Sequence, residues 1–302
     1  MATEFELIRK YFGRPAPSAA LGVGDDAALL RPNAGMELAI STDLLLEGRH
    51  FRAGADARKL GHKCLAVNLS DMAAMGAAPR WATLALALPE ADEAWLEGFA
   101  RGFYALAERF GVELIGGDTT RGPRCVCITI LGEVPRGLAL LRAGALPGDD
   151  VWVSGELGGA ALGLEQPQNA AAARRLDEPE PRVGLGERLR GIAGAAIDVS
   201  DGFAQDLGHI LERSGVGAVV EYERLPCFPG AGSTQVLAGG DDYELVFTAR
   251  PERRAQIESL SKGLGLALAR VGSIQKGEAK LAVLDRAGKP MRVERGFDHF
   301  SR

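Results

Sequence analysis

Nine aspartates are expected where strands of this chain end or helices begin. They are Asp25 and Asp26 in GVGDDAALL, Asp43 in ISTDLLL, Asp71 in NLSDMAAMG, Asp118 in LIGGDTT, Asp198 and Asp201 in DVSDG, and Asp241 and Asp242 in GGDDYE. Most have glycine, serine or threonine beside them. A solvated acidic run would be interleaved with lysine and glutamate, whereas Asp71 is enclosed by Leu69 and Met72, and Asp198 by Ile197 and Val199. A carboxylate taken out of water without a counter-charge is costly, so the pattern implies cations. The donors are hard oxygens, which suit magnesium, an ion usually shared with substrate phosphates. Taken singly, Asp201 also reads as a helix cap and Asp71 as the partner of an arginine. Together the set points to metal-assisted phosphate chemistry.

Other chemistries are disfavoured by what the sequence lacks. There is no G-x-x-x-x-G-K-[ST] loop, and no H-R-D with D-F-G, so neither a P-loop enzyme nor a protein kinase is expected. GELGGAALG after VWVSG lacks dinucleotide-loop spacing and reads as a turn. The four histidines are far apart and form no zinc pattern; His50, just after the acidic strand end, is best placed to touch a ligand. A formal net charge of -5 over 302 residues argues against nucleic-acid and anionic-membrane partners. No stretch approaches the ~20 apolar residues of a membrane span. Cys64, Cys125, Cys127 and Cys227 are too few and too unevenly spaced for a disulfide framework, which suits a reducing, cytoplasmic setting. Strand alternation is expected to point Cys125 and Cys127 to one buried face.

These residues need elements to position them. The opening MATEFELIRKYF reads as an amphipathic helix rather than a leader: Thr3 and Glu6 have capping-box spacing, and Phe5, Ile8 and Phe12 share a stripe. ALGVGDDAALL and ELAISTDLLL read as strands around a turn at Pro32, Asn33 and Gly35. A helix follows from Asp56, burying Leu60, Cys64, Val67 and Met75 and ending at Gly76. WATLALALP, VELIGGD and RCVCITILGEV read as strands, with a second long helix in DEAWLEGFARGFYALAERFG. The Gly- and Pro-rich stretch 135–148 marks a boundary, giving domains 1–137 and 148–302. Beyond it VWVSG, AAIDVS, GAVVEYERL, DDYELVFTA and a hairpin around Arg286 to Lys289 read as strands. Helices are expected in GGAALGLEQ, GLGERLRGI, DGFAQDLGHILERSG (capped by Asp201) and PERRAQIESLSKGLG. Residues 165–182 are the least patterned and read as a mobile connection. Adjacent strand pairs mixed with helices predict an α+β protein of two α/β domains with mixed or antiparallel sheets.

In order and spacing, GVGDDAALL, ISTDLLLEGRHF, KCLAVNLSDMAAMGAAPRW, LIGGDTTRGP, AIDVSDGFAQDLGHI, GGDDYELVFT and the final GFDHF resemble the thiamine-monophosphate kinase family. The likeness runs nearly end to end. The wider superfamily includes aminoimidazole ribonucleotide synthetase, selenophosphate synthetase and a hydrogenase maturation factor. Selenophosphate synthetases carry a reactive cysteine or selenocysteine near the amino terminus, and the maturation factor ends in cysteine. Here the first cysteine is Cys64 and the last residues are HFSR.

The resemblance implies a homodimer in which the amino-terminal sheet pairs with that of a second subunit, and a reaction in which ATP and thiamine monophosphate give ADP and thiamine diphosphate. It implies several magnesium ions held by Asp26, Ser41, Thr42, Asp43, Asp71, Asp118, Asp198 and Asp201. It implies ATP contacts from Gly117, Asp118, Arg142, Ser200 and Tyr104, and thiamine monophosphate contacts from His50, Asp241 and Phe297. Asp25 is left as a turn residue or a support behind Asp26. The chemistry agrees with this set. An acceptor that is already an ionised phosphate needs no strong general base, only suppression of repulsion between two polyanions held in line. Arg142 suits phosphate as a planar donor, and an aromatic face or carboxylate suits the cationic thiazolium. Two other readings remain open at this level: an ATP-dependent ligase on the same fold, and a cation- or nucleotide-binding protein without catalysis. GRHF and GGDDYE speak against the first, and an assay separates the second.

Overall fold

The computed structural model describes residues 3–294, 296 and 297. By its contacts the chain divides into two units. One holds the residues up to Met72 with Ala77–Arg136, the other Ala73–Gly76 with the described residues from Gly137 onwards.

The first unit runs α1 (Glu4–Tyr11), β1 (Met36–Leu46), α2 (Ala57–Ala74, its last turn counted with the second unit), β2 (Ala78–Leu88), α3 (Glu93–Phe110), β3 (Glu113–Arg121) and β4 (Cys125–Pro135). The capping box expected at Thr3 and Glu6 closes α1, and the Asp56 side chain accepts from the Lys59 amide at 2.9 Å to start α2. The sheet order is β1-β4-β2-β3, antiparallel except for the parallel β2–β3 pair that α3 connects. Val126, Ile128 and Ile130 of β4 lie on the buried face, and a side chain at Gly132 on that face would collide with Met72 of α2. The helices α2 and α3 cross closely because Gly61 and Gly102 have no side chains: a Cβ on either would collide with the other helix's backbone.

Three expectations need correction here. Residues 20–30 form no strand, only isolated bridges at Leu21–Leu29 and Val23–Asp25; Gly22, Gly24 (φ 125°) and two adjacent aspartates break a ladder. Phe5 is exposed, and Leu7 and Phe12 are the buried residues instead. Cys125 and Cys127 do share a face, but it is the half-exposed one, because Val126 and Ile128 take the core side. That open face continues on β1 as Leu38, Ile40, Leu44 and Leu46, with Ile40 61% and Leu44 51% exposed.

The second unit contains β5 (Asp150–Ser154), α4 (Gly159–Glu165), α5 (Ala170–Asp177), α6 (Val183–Leu189), β6 (Ala193–Asp198), α7 (Phe203–Ser214), β7 (Gly217–Glu221), α8 (Ser233–Ala238), β8 (Leu245–Ala249), α9 (Arg254–Leu264), β9 (Leu268–Gln275) and β10 (Leu281–Leu284). Its six strands run β10-β7-β9-β5-β8-β6, all antiparallel except β10–β7. Val151, Val153, Ile197, Val246 and Val271 from the sheet pack with Phe203, Leu207, Ile210 and Leu211 of α7. β9 was not expected from sequence, yet it lies between β7 and β5; Arg270, Gly272 and Ser273 blur its apolar alternation. β8 begins only at Leu245, because Asp241 and Tyr243 adopt positive φ. Residues 165–182 are not an unpatterned connection: they contain α5, and Arg175 and Arg182 anchor the stretch to Glu244. With two mixed sheets and helices in both units, the molecule is α+β.

Candidate active site

The first unit contributes one cluster. Alternation along β1 sets Ser41 and Asp43 on the helix-covered face, and Asp71 reaches in from α2 to accept a hydrogen bond from the Ser41 hydroxyl at 2.5 Å. Thr42, between them, faces the open side, where its hydroxyl pairs with that of Thr129 at 2.8 Å. His50 lies in the turn after β1: its amide donates to the Leu46 carbonyl and its Nδ1 accepts from the Leu46 amide, both at 2.9 Å. That acceptor role puts the proton of the neutral ring on Nε2. Asp25 Oδ1 accepts from the Asp26 amide at 2.9 Å, so Asp25 belongs to the turn that presents Asp26. Tyr104 is buried, donates its hydroxyl to the Phe12 carbonyl at 3.1 Å, and has Arg14 over its ring at 3.6 Å. Burial pushes its hydroxyl up to about 12.

Gly117 and Asp118 stand elsewhere. A Cβ at Gly117 would collide with the backbone of Leu84, so only glycine allows this close approach of β3 to β2. Across the sheet, Gly117, Leu84, Ile128 and Asp43 form one row, and Asp118, Ala85, Cys127 and Leu44 the next. Asp43 and Asp118 therefore sit on the two outer strands and in rows of opposite face, with three strand spacings, roughly 14 Å along the sheet, between them.

The second unit gathers the other cluster around the turn after β6. Asp206, in the first turns of α7 and buried, accepts on Oδ2 from the amides of Ser200, Asp201 and Gly202 at 3.0, 3.0 and 3.1 Å. Asp201 is thus not the cap expected of it: Gly202 holds the N-cap position, and Asp206 takes the amides. The carbonyls of the same turn hold two further segments. Ser200 accepts from the Asp241 amide and Asp201 from the Phe297 amide, both at 2.9 Å. Gln205 Nε2 donates to the Phe297 carbonyl at 3.0 Å, and the Tyr243 hydroxyl to Asp241 Oδ1 at 2.9 Å. Ser200, Asp201, Asp241 and Phe297 are in this way brought into one hydrogen-bonded neighbourhood, with Asp198 at the end of β6 before it; Asp298, His299 and Phe300 of GFDHF lie outside the described residues. Arg142 flanks β6, its neighbour Leu141 accepting from the Ala196 amide at 2.9 Å, with an exposed side chain. Burial raises the Asp206 carboxyl to about 8, and the charges of Asp198 and Asp201 add to this while the turn's amides oppose it. Such a concentration of negative charge fits a divalent cation nearby. Among the described residues no three His, Cys, Asp or Glu side chains are grouped closely enough to hold a metal.

Two family models match the chain: AIR synthase related protein, N-terminal domain, over residues 24–134, and AIR synthase related protein, C-terminal domain, over residues 146–284. The thiamine-monophosphate kinase of Salmonella typhimurium is 43% identical over 320 residues, a match spanning 99% of this chain and 98% of that protein. The crystal structure of thiamine-monophosphate kinase from Stenotrophomonas maltophilia K279a superimposes with a TM-score of 0.87 at 46% identity, covering 96% of this chain and 98% of that one. AaThiL complexed with AMPPCP and TMP superimposes with a TM-score of 0.79 at 30% identity, covering 99% of both chains. The chain belongs to the thiamine-monophosphate kinase family.

In this family member three acidic residues brace the site; sequence reading missed two of them and counted the third only among the aspartates that imply a cation. One is Asp206. A second is Glu244, fully buried, whose carboxylate accepts from Arg182 at 2.6 and 2.5 Å, from Arg175 at 2.9 Å and from the Ser154 hydroxyl at 2.6 Å. The third is Asp242, which accepts from the amides of Gly158 at 2.6 Å and Ala160 at 3.2 Å. Glu244 and Asp242 have partners 62 to 90 and 82 to 84 residues away, whereas those of Asp206 lie only 4 to 6 away and are main-chain amides, which no residue type announces.

Burial raises the Asp242 carboxyl to about 7, against the opposing pull of the two amides. An aspartate in the unfolded chain titrates near ~3.9, so the folded state binds this proton more tightly. The stability from this preference is complete below about pH 4 and is lost as pH rises to about 7. Asp242→Asn removes the titration. The wild-type melting temperature, compared with that of Asp242→Asn in metal-free buffer, is therefore expected to fall between about pH 4 and pH 7 and to level above it. Parallel curves would refute it.

Proposed function

We propose that this family member transfers the γ-phosphoryl group of ATP to the phosphate of thiamine monophosphate, giving ADP and thiamine diphosphate in thiamine diphosphate biosynthesis. The observation that carries this reading is the likeness, over 99% of both chains, to AaThiL solved with AMPPCP and TMP. A phosphate oxygen of the acceptor attacks the γ-phosphorus as the bond to the β-phosphate oxygen breaks. The acceptor is already ionised, so no side chain has to act as a general base.

In this reading Asp26, Ser41, Thr42, Asp43, Asp71, Asp118, Asp198 and Asp201 hold magnesium, Thr42 through its main-chain oxygen because its hydroxyl is turned to Thr129. When bound, magnesium neutralises the charge of the two polyanions as they approach in line. Gly117 lets the nucleotide lie against β3, and Asp118, Arg142 and Ser200 meet its phosphates. Tyr104 meets ATP as well. His50 donates from Nε2 to the acceptor's phosphate, and Asp241 with Phe297 receives the thiazolium. Residues 1–137 act as the magnesium- and ATP-binding and dimerisation domain, and 148–302 complete the nucleotide and substrate site. We place the enzyme in the cytoplasm, a reading supported by its four free cysteines.

Two features support reading the enzyme as a homodimer. The apolar side chains Leu38, Ile40, Leu44 and Leu46 leave a face of the sheet open, as at an interface. The split of Asp43 and Asp118 to opposite outer strands is the second: oxygens on one magnesium lie ~2.1 Å from it, a reach that roughly 14 Å along the sheet exceeds. A two-fold arrangement that sets β3 of one copy beside β1 of its partner shortens that separation to about one strand spacing.

Phosphorus NMR of the protein with ATP, magnesium and thiamine monophosphate is expected to show the paired signals of thiamine diphosphate growing with those of ADP. ADP without a diphosphate product, or no turnover, rejects the proposal.

A further inference from the structure

We propose that Asp206 is a positioning residue of the transfer site, holding the turn that follows Asp198 and carries Ser200 and Asp201 and, through it, the segments bearing Asp241 and Phe297. The inference rests on the phosphoryl-transfer reading for the meaning of those residues, but its geometric part stands alone. Three consecutive amides converge on a single oxygen, Asp206 Oδ2, at 3.0 to 3.1 Å. Convergence of this kind fixes three peptide planes at once. The opposite ends of two of those residues are also engaged: the Ser200 carbonyl by the Asp241 amide, and the Asp201 carbonyl by the Phe297 amide. Each of these residues is therefore bracketed, amide to Asp206 and carbonyl to a neighbouring segment, and bonds in such chains polarise one another. There is no slack in the arrangement, since a Cβ at Gly240 or Gly296 would collide with the carbonyl of Ser200 or Asp201 respectively.

Asp206 does not touch the reacting groups in this scheme. It acts from behind, from a buried site on α7 whose neighbours Phe203, Leu207 and Ile210 are core residues. The rigid helix transmits its position to the turn. Without the Oδ2 acceptor three amides lose their partner, and the turn relaxes toward other conformations.

All three bonds use one oxygen, which makes the test selective. Asp206→Asn keeps an acceptor there; Asp206→Ala removes it. Amide hydrogen exchange over residues 199–203 is measured first on the full chain without metal or nucleotide, then Mn2+ affinity by electron paramagnetic resonance, then kcat and KM for both substrates. The asparagine variant is expected to keep slow exchange, and to keep Mn2+ affinity and kcat within about threefold. The alanine variant is expected to exchange fast at 200–202 and to lose about 100-fold in kcat, the scale set by misplacement of about 1 Å. Its KM for ATP should change less than its kcat. If Asp206→Ala does not fold, Asp206→Ser, too short to reach the three amides, takes its place. Slow exchange at 200–202 in the alanine or serine variant, or wild-type kcat there, overturns the proposal. So does an asparagine variant as slow as alanine with its exchange unchanged, which would make charge the operative property. A wild type without kinase activity would refute the functional reading while the exchange data still judge the positioning role.

Discussion

Asp71→Asn is expected to fold normally and to lose at least ~1000-fold in kcat, because removal of a charged metal donor forfeits several kcal/mol of transition-state charge stabilisation. The substitution is nearly isosteric. The Ser41 hydroxyl that donates to Asp71 at 2.5 Å can donate to an amide oxygen as well, so the tie between β1 and α2 persists. What goes is negative charge where magnesium is proposed to bind. The measurement is steady-state formation of thiamine diphosphate, beside circular dichroism to verify the fold. Asp71 lies beside β1, tied to its Ser41, while Asp118 is on β3, the opposite outer strand, and this division sharpens the test. Asp118→Asn should be equally inactive alone, yet chains carrying one substitution each, co-expressed and allowed to pair at random, should recover about a quarter of wild-type activity. Half the dimers are then mixed, and each mixed dimer holds one intact site. Full activity in Asp71→Asn would remove Asp71 from the metal site, and no recovery on mixing would remove the shared arrangement.

Glu244→Ala is expected to destabilise the second unit by about 3–5 kcal/mol, the usual cost of stripping one partner from a buried ion pair. Glu244 is fully buried and answers Arg175, Arg182 and the Ser154 hydroxyl together. Without it, two guanidinium groups, each mostly covered, lose their common counter-charge. At about 2–4 °C per kcal/mol for a unit of this size, the melting temperature should fall by roughly 10 °C. Glu244→Gln should lie between the two, since it keeps acceptors but not charge. The triple change Glu244→Met, Arg175→Leu and Arg182→Leu should regain much of the loss, because apolar replacement of a whole buried pair is often neutral. Calorimetry measures all three. A loss below about 1 kcal/mol in Glu244→Ala would show that the network contributes no more than a surface pair.

Much of the scaffold was legible because its signals are local. Thr3 with Glu6, and Asp56 with Lys59, cap their helices as their spacing predicts, and Gly111 closes α3 in the left-handed conformation. β1 and β4 form where strands were read, although which face is buried was misjudged at Cys125 and Cys127. Periodicity fixes that two residues share a face but not which face the helices cover. β9 and the boundaries of β8 were obscure for a similar reason, since glycine, charge and positive φ at Asp241 and Tyr243 interrupt the pattern on which the reading depends.

The aspartates and their hard-oxygen chemistry could be named from sequence, because small and apolar neighbours mark a carboxylate that needs a cation, although Asp43, Asp71 and Asp118 lie within β1, α2 and β3 rather than at element ends. Sequence likeness then gave the family. The tertiary structure decided which of those residues meet. It joined Ser41 to Asp71, gathered Ser200, Asp201, Asp241 and Phe297 around one turn, and set Asp43 and Asp118 on opposite outer strands of one sheet. It also supplied the braces, Asp206, Asp242 and Glu244, whose importance depends on desolvation. Burial is a property of the packed chain: apolar neighbours marked Asp198, but the enclosure of Asp206 and Glu244 had no such local sign.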